Sequence, residues 1–414
     1  MGYMPLQREK AWAREGDIHA FAWLAAKQQL VTAPKVAAAA LPLAGLTFGV
    51  KDVMDVRGMP TQHGCAGLSL KPADWDATVV AQLRAAGAFP VGKTVTAEFA
   101  YTAPGPTRNP WNLAHTPGGS SSGSAAAVAA GMVDFAVGTQ TGGSIIRPAA
   151  FCGVVGFKPS FGLVHRQGML VTAESLDTIG WFTPDVPLSA RILSVITQTA
   201  PIAPRRPLRV AYAAAISGLT PDTMHLLETV KRCLLDAGIA LQDLAHHQPL
   251  LDELTYLHGV TVSYELARGM QGVANVHGDL LSRGLQSAIR EGMAKDTASY
   301  LKTQERRHAL ARQWMREVGE ADLIIAPSSH GAAPLGLHST GSSLPNRPWS
   351  LLGWPCVHIP LGSNAAGLPL GVQLIARPME DAQLLAMAAT VQSMCVESTY
   401  GVDAHTAALC SGAD

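Results

Sequence analysis

The chain has 414 residues, with 31 Lys and Arg against 31 Asp and Glu, and 48% of it is hydrophobic. Balanced charge leaves no field to draw a nucleic acid or a membrane surface, and no apolar run is long enough to span a bilayer. The six cysteines (Cys65, Cys152, Cys233, Cys356, Cys395, Cys410) form no CxxC pair and no HExxH grouping occurs, which argues against disulfides, a metal or any other cofactor.

In chain order, Met1 to Gly16 carries Arg8, Glu9, Lys10, Arg14 and Glu15 ahead of any apolar run. That order is unlike a secretory signal, so a cytoplasmic location is expected. Leu46 to Val50 reads as a strand that ends on Lys51 and Asp52, followed by a helix over Ala77 to Gly87 and a strand over Ala88 to Val91. A lysine at the end of a buried strand must be paired or lose its charge, and a neutral lysine can act as a base. Asp52 reads as a structural group at the strand end. Lys93, in Val91-Gly-Lys-Thr94, lacks the spaced glycine of a phosphate loop and reads as structural too.

The run from Thr116 to Gly131 then places Pro117, Gly118 and Gly119 before Ser120-Ser121-Ser122-Gly123. Proline and paired glycines force a turn that delivers Ser120 to a fixed point, and an alanine-rich helix opens over Ser121 to Ala130. Ser121 and Ser122 compete with Ser120 for any special role, their ordinary one being to cap that helix. A second loop, Gly138 to Pro148, carries Thr141-Gly142-Gly143-Ser144. Consecutive residues without Cβ crowding can turn several N–H groups inward around a developing oxyanion, which makes Ser144 the candidate nucleophile.

From Thr220 to Val318 the pattern is mostly helical, and the segment around 200–320 reads as a helical insert or cap over the site. Strand-like runs return at Leu323 to Ala326, Val357 to Pro360 and Pro369 to Ala376, before a final helix over Asp381 to Val391. This alternation predicts an α/β fold, with residues 1–414 as one domain built on a mixed central sheet covered by helices on both sides.

The two serine loops and Lys51, together with Phe151–Pro159, Ser175–Asp177, Ala326-Pro327 and Gly367–Gln373, resemble the amidase signature family of serine hydrolases. The resemblance implies an amidase with a Ser-cisSer-Lys triad: Ser144 the nucleophile, Ser120 the bridge after a cis peptide, and Lys51 the base. It also implies an oxyanion hole from Thr141, Gly142, Gly143 and Ser144, an acyl-enzyme intermediate and a small-molecule amide as the partner, and it allows a homodimer.

Two departures from the family pattern bear on substrate. Gln140 stands where most members carry an acid and Ile146 where they carry arginine, while Arg147 appears one residue later. An unpaired guanidinium near the site is costly, and a substrate carboxylate would satisfy it bidentately. The expected substrate is therefore a half-amide such as malonamate, and the Gly138–Pro148 pattern is similar to that of malonamidases. The competing expectation is an ion pair of Arg147 with Glu174, Asp177 or Glu265. Gln373 and Arg377 are expected in core or surface hydrogen bonds, Trp349 and Trp354 in packing or the pocket wall, and Ser263, Tyr264 and Glu265 are cap candidates for touching substrate. Alternatives are an amidotransferase subunit for aminoacyl-tRNA amidation, a broad aliphatic or aryl amidase, and a non-catalytic binding protein.

Overall fold

The structure is a computed structural model that describes residues 13–25, 41–68, 70–214 and 216–400; the first twelve residues and Cys410 lie outside this range. Eleven strands form one sheet: β1 Phe21–Leu24, β2 Thr47–Lys51, β3 Phe89–Thr94, β4 Phe135–Gln140, β5 Val155–Lys158, β6 Thr178–Thr183, β7 Arg209–Tyr212, β8 Ala240–Asp243, β9 Leu323–Pro327, β10 Cys356–Ser363 and β11 Pro369–Ile375. Their order is β1-β3-β2-β4-β6-β5-β10-β11-β9-β7-β8. β2 runs parallel to β3 and β4, and β7 parallel to β8 and β9, while the middle of the sheet is antiparallel, so the sheet is mixed.

Ten helices matter here: α1 Thr78–Ala85, α2 Ser122–Ala129, α3 Ile146–Cys152, α4 Val186–Thr197, α5 Pro221–Asp236, α6 Gln248–His277, α7 Arg283–Met293, α8 Thr297–Val318, α9 Arg347–Leu352 and α10 Asp381–Tyr400. Several start where the sequence supplies an acceptor for orphan N–H groups. Asp185 accepts from Leu188 N before α4, Thr220 from Thr223 N before α5, and Asp296 from Ser299 N before α8. Each such cap is worth about 1 kcal/mol.

Strand pleating distributes the apolar residues to two faces. On one face, Val80 of α1, Ile192 of α4, Leu227 of α5 and Leu384 of α10 pack on Phe48, Trp181 and Ile325. On the other, α2 covers Ala136 and Phe182, and Leu254 of α6, Trp314 of α8 and Trp349 of α9 cover Ile324 and Ala326. Chain neighbours Trp181 and Phe182, like Ile325 and Ile324, thus fall into different clusters, which is the arrangement of a sheet covered on both sides.

The stretch 200–320 is mostly helical but does more than cap. β7 and β8 extend the sheet beside β9. They escape the sequence pattern because each has four residues and β8 is largely exposed, which leaves no alternation to detect. The covering layer is α6 to α8. Among the described residues no helix is long and apolar enough to cross a membrane.

Candidate active site

β2 and β4 are parallel neighbours, with Val50 opposite Val137, so the residues at their C-terminal ends meet at one edge. Lys51 closes β2 there. Its Nζ lies 2.8 Å from Ser120 Oγ and 2.7 Å from Thr139 Oγ1, and Lys51 and Ser120 are 0% and 1% exposed. Ser120 reaches this point through a turn in which Gly118 takes φ +81°, where a Cβ would come within 2.8 Å of Pro148 Cα; the Gly119–Ser120 peptide is cis. Ser121 and Ser122 do not cap α2. Ser121 Oγ donates to Thr139 O and Ser122 Oγ to Val95 O, tying the turn to the strands, and Ser124 is buried against Thr94 and Val137 O.

Two buried lysines leave adjacent strands with different environments. Lys93 donates to Asp52 at 3.0 Å, to Pro60 O and to Thr61 Oγ1, and Asp52 also accepts from Gln62 N; burial still pushes Lys93 down, against the pull of Asp52. Lys93 and Asp52 are both structural, as their sequence contexts suggest. Among the described residues, Lys51 has only hydroxyls as hydrogen-bond partners. Burial lowers it to about 7, with the Asp177 carboxylate opposing and the Arg147 guanidinium reinforcing the shift. Near neutral pH a large part of it is therefore the free amine.

The loop from Thr141 to Ser144 is held from several directions. Thr141 Oγ1 donates to Asp177 Oδ1 at 2.5 Å, while Asp177 Oδ2 accepts from the N–H groups of Thr172 and Ala173. His258 of α6 places Nε2 2.9 Å from Thr141 O; burial lowers its pKa to about 4, so the ring is neutral and donates from Nε2. Ser350 Oγ donates to Gly142 O and itself accepts from Gln140 Nε2. At Gly143 a Cβ would come within 2.4 Å of the Asn346 amide oxygen, so any larger residue would have to displace that side chain. Among the described residues no protein acceptor takes the N–H of Gly142, Gly143 or Ser144. These donors are free for an oxyanion.

Gln140 replaces the expected family acid without leaving a gap. Its Oε1 accepts from the N–H of Ile145 and Ile146 at 2.8 and 3.0 Å, which caps α3, and Ile146 is wholly buried in the apolar core.

Thr141 to Ser144 and Arg147 line one cavity of about 220 Å³, together with Tyr101, His258, Val262, Leu266, Ser343 and Arg347. Ser144 is 8% exposed. The volume is below the roughly 300–1,000 Å³ of sites for drug-sized ligands and suits a small amide. Among the described residues no acid is in its wall. Arg147 donates to Gly119 O, Gly341 O and Thr340 Oγ1, and its Nε is buried without a partner. The three acids expected to compete for it are engaged elsewhere: Glu174 with Arg166, Asp177 with Thr141 and Thr172, and Glu265 with Ser175 and Tyr300.

The cap contributes His258, Val262 and Leu266 to the wall in place of Ser263, Tyr264 and Glu265. A fraction of a helical turn separates what faces the cavity from what faces α7 and α8, and the sequence alone does not set that rotation. Trp349 and Trp354 pack in the core, Gln373 Nε2 donates to Pro327 O and Pro345 O, and Arg377 pairs with Glu380. His258 and Ser350 escape functional notice in the sequence because each acts on the Thr141–Ser144 loop from far along the chain, and Arg347 because it enters the cavity from α9; Asp177, expected as a partner for Arg147, accepts from Thr141 instead.

The sequence model of the Amidase family matches residues 7–385. The A subunits of two glutamyl-tRNA(Gln) amidotransferases are similar along most of their length. That of Koribacter versatilis is 32% identical over 93% of this chain and 92% of its own, and that of Roseiflexus sp. is 33% identical over 87% and 85%. Among solved structures, an amidase superposes with a TM-score of 0.85 at 28% identity over 95% and 96% of the two chains. The corresponding amidotransferase component from Thermotoga maritima superposes with 0.75 at 26% over 93% and 90%. The chain belongs to the amidase signature family and is an enzyme acting on amide C–N bonds.

Proposed function

We propose that the protein hydrolyses a small amide whose acyl group carries a carboxylate, malonamate being the model substrate. The observation that carries this reading is the cavity itself: Ser144 opens into a small space with arginine side chains and no acid in its wall. Neutral Lys51 takes the proton of Ser120 as Ser120 takes that of Ser144, whose Oγ attacks the amide carbonyl. The N–H groups of Gly142, Gly143 and Ser144 stabilise the resulting oxyanion. Collapse breaks the C–N bond, the leaving amine receives the proton back through the same relay, and water cleaves the acyl-enzyme. Arg147, in the cavity wall, supplies positive charge to the carboxylate. The chain acts as one domain, a reading supported by the single sheet that all eleven strands share.

Ammonia release from malonamate, malonamide and propionamide tests this. Wild type should prefer malonamate, Ser144→Ala should be inactive on all three, and Arg147→Ala should lose the preference for malonamate. Preference for the neutral amides in wild type would overturn the carboxylate reading and leave an amidase of other acyl preference.

A second reading is favoured by the identity to amidotransferase A subunits: the chain would be one component of an assembly that amidates aminoacyl-tRNA. Native purification separates the two. Isolation as a monomer or homodimer with full activity supports the free amidase; recovery in a heteromer, with activity only there, supports the amidotransferase.

A further inference from the structure

We propose that Arg347 is a specificity-determining residue for the same reaction: it forms the outer arm of a two-guanidinium clamp on the substrate carboxylate, sharing the cavity with Arg147. This rests on the carboxylate reading given above. Arg347 begins α9, far along the chain from either serine loop, yet it lines the same cavity as Ser144 and Arg147. Its Nε donates to Ser343 Oγ at 3.2 Å, and among the described residues this is the hydrogen bond it makes.

The two arginines divide the work by what remains free. Both terminal nitrogens of Arg147 are engaged by Gly341 O, Gly119 O and Thr340 Oγ1, so its position is set jointly by the loop that presents Ser120 and by the Thr340–Gly341 segment. Both terminal nitrogens of Arg347 are uncommitted, and they form the planar fork that matches two carboxylate oxygens. Among the described residues neither guanidinium is in an ion pair. Burial disfavours the charge of both, and Arg347 depresses Arg147 further. Two like charges sharing a small cavity without an acid are unfavourable until an anion joins them. His258 adds no charge because it is neutral, and the rest of the polar wall is hydroxyl and backbone. A monoanionic acyl group of a few atoms is the ligand that fits, its carbonyl at Ser144 and its carboxylate between the arginines.

The test is kcat and KM for malonamate and for propionamide with wild type, Arg347→Gln and Arg347→Lys. Arg347→Gln should lower kcat/KM for malonamate by roughly 10- to 100-fold, mainly through KM, and leave propionamide within about twofold. Arg347→Lys, with the charge but not the fork, should recover part of the preference and also serves if the Gln variant does not fold. Equal losses on both amides would make Arg347 a support for the Ser343 loop and overturn the assignment. So would an undiminished preference in Arg347→Gln, or a Lys variant no better than Gln. Absence of any malonamate preference in wild type would overturn the carboxylate reading itself, a result distinct from the others because it needs no variant.

Discussion

Lys51 and Lys93 have the same side chain and neighbouring strands, both are buried, and they differ in what surrounds the nitrogen. Asp52 gives Lys93 a counter-ion, and Lys51 has hydroxyls and a carboxylate, that of Asp177, which does not contact it. Its lowered pKa has two measurable signs. If the free amine is the base, kcat/KM should rise as pH passes through about 7 and then level off, which a pH–rate profile checks. For stability, between about 7 and the ordinary lysine value the unfolded chain binds a proton that the folded chain lacks, so wild-type stability should rise with pH across that window. Lys51→Met removes the cost of burying the amine. It should be inactive yet more stable by about 1–2 kcal/mol at about pH 7 in urea melts, with the advantage shrinking toward about pH 10. A Met variant less stable than wild type near neutral pH would mean that Lys51 holds the site together.

At the scale of elements, the reacting loop is fastened by groups from strands and helices far apart in sequence. Gln140 is the clearest case: one amide caps α3 through two N–H groups and reaches Gly142 through Ser350. Gln140→Ala leaves buried donors unmet. It should cost about 1–3 kcal/mol in chemical denaturation, and lower kcat with KM nearly unchanged, if the N–H groups of the loop stabilise the oxyanion as proposed and the two arginines stay in place. Unchanged kcat would show that Thr141–Asp177 and His258 alone hold the loop. This network also marks the limit of what is legible in the sequence. Lys51, Ser120 and the Thr141–Ser144 loop announce themselves through local chemistry: a charge ending an apolar strand, and glycines around serine. The replacement of an ion pair by Gln140 is visible as a departure, but what the amide bonds to is decided by Ser350, 210 residues away. His258 is one of many polar residues along a 30-residue helix, and only packing reveals which turn points inward.

At the scale of the whole molecule, the α/β class and the two covered faces follow from alternating strand and helix patterns, while β7 and β8 show as strands only in their pairing, β7 on β9 and β8 on β7. Balanced net charge is likewise true of the whole and untrue of the part that binds. A neutral protein concentrates two guanidiniums around one small cavity, with the acids of the neighbourhood turned to other tasks. For the half-amide proposed above, hydrolysis would change the ligand there from a monoanion to a dianion, since cleavage of the amide creates a second carboxylate. The cavity that attracts the reactant therefore holds the product harder, and the ammonium that departs is repelled. Progress curves on malonamate should bend early, and added malonate should inhibit competitively with a Ki below the KM of malonamate, whereas propionate, with a single carboxylate, should inhibit more weakly than malonate. Turnover in such a pocket is governed by how readily the acid escapes.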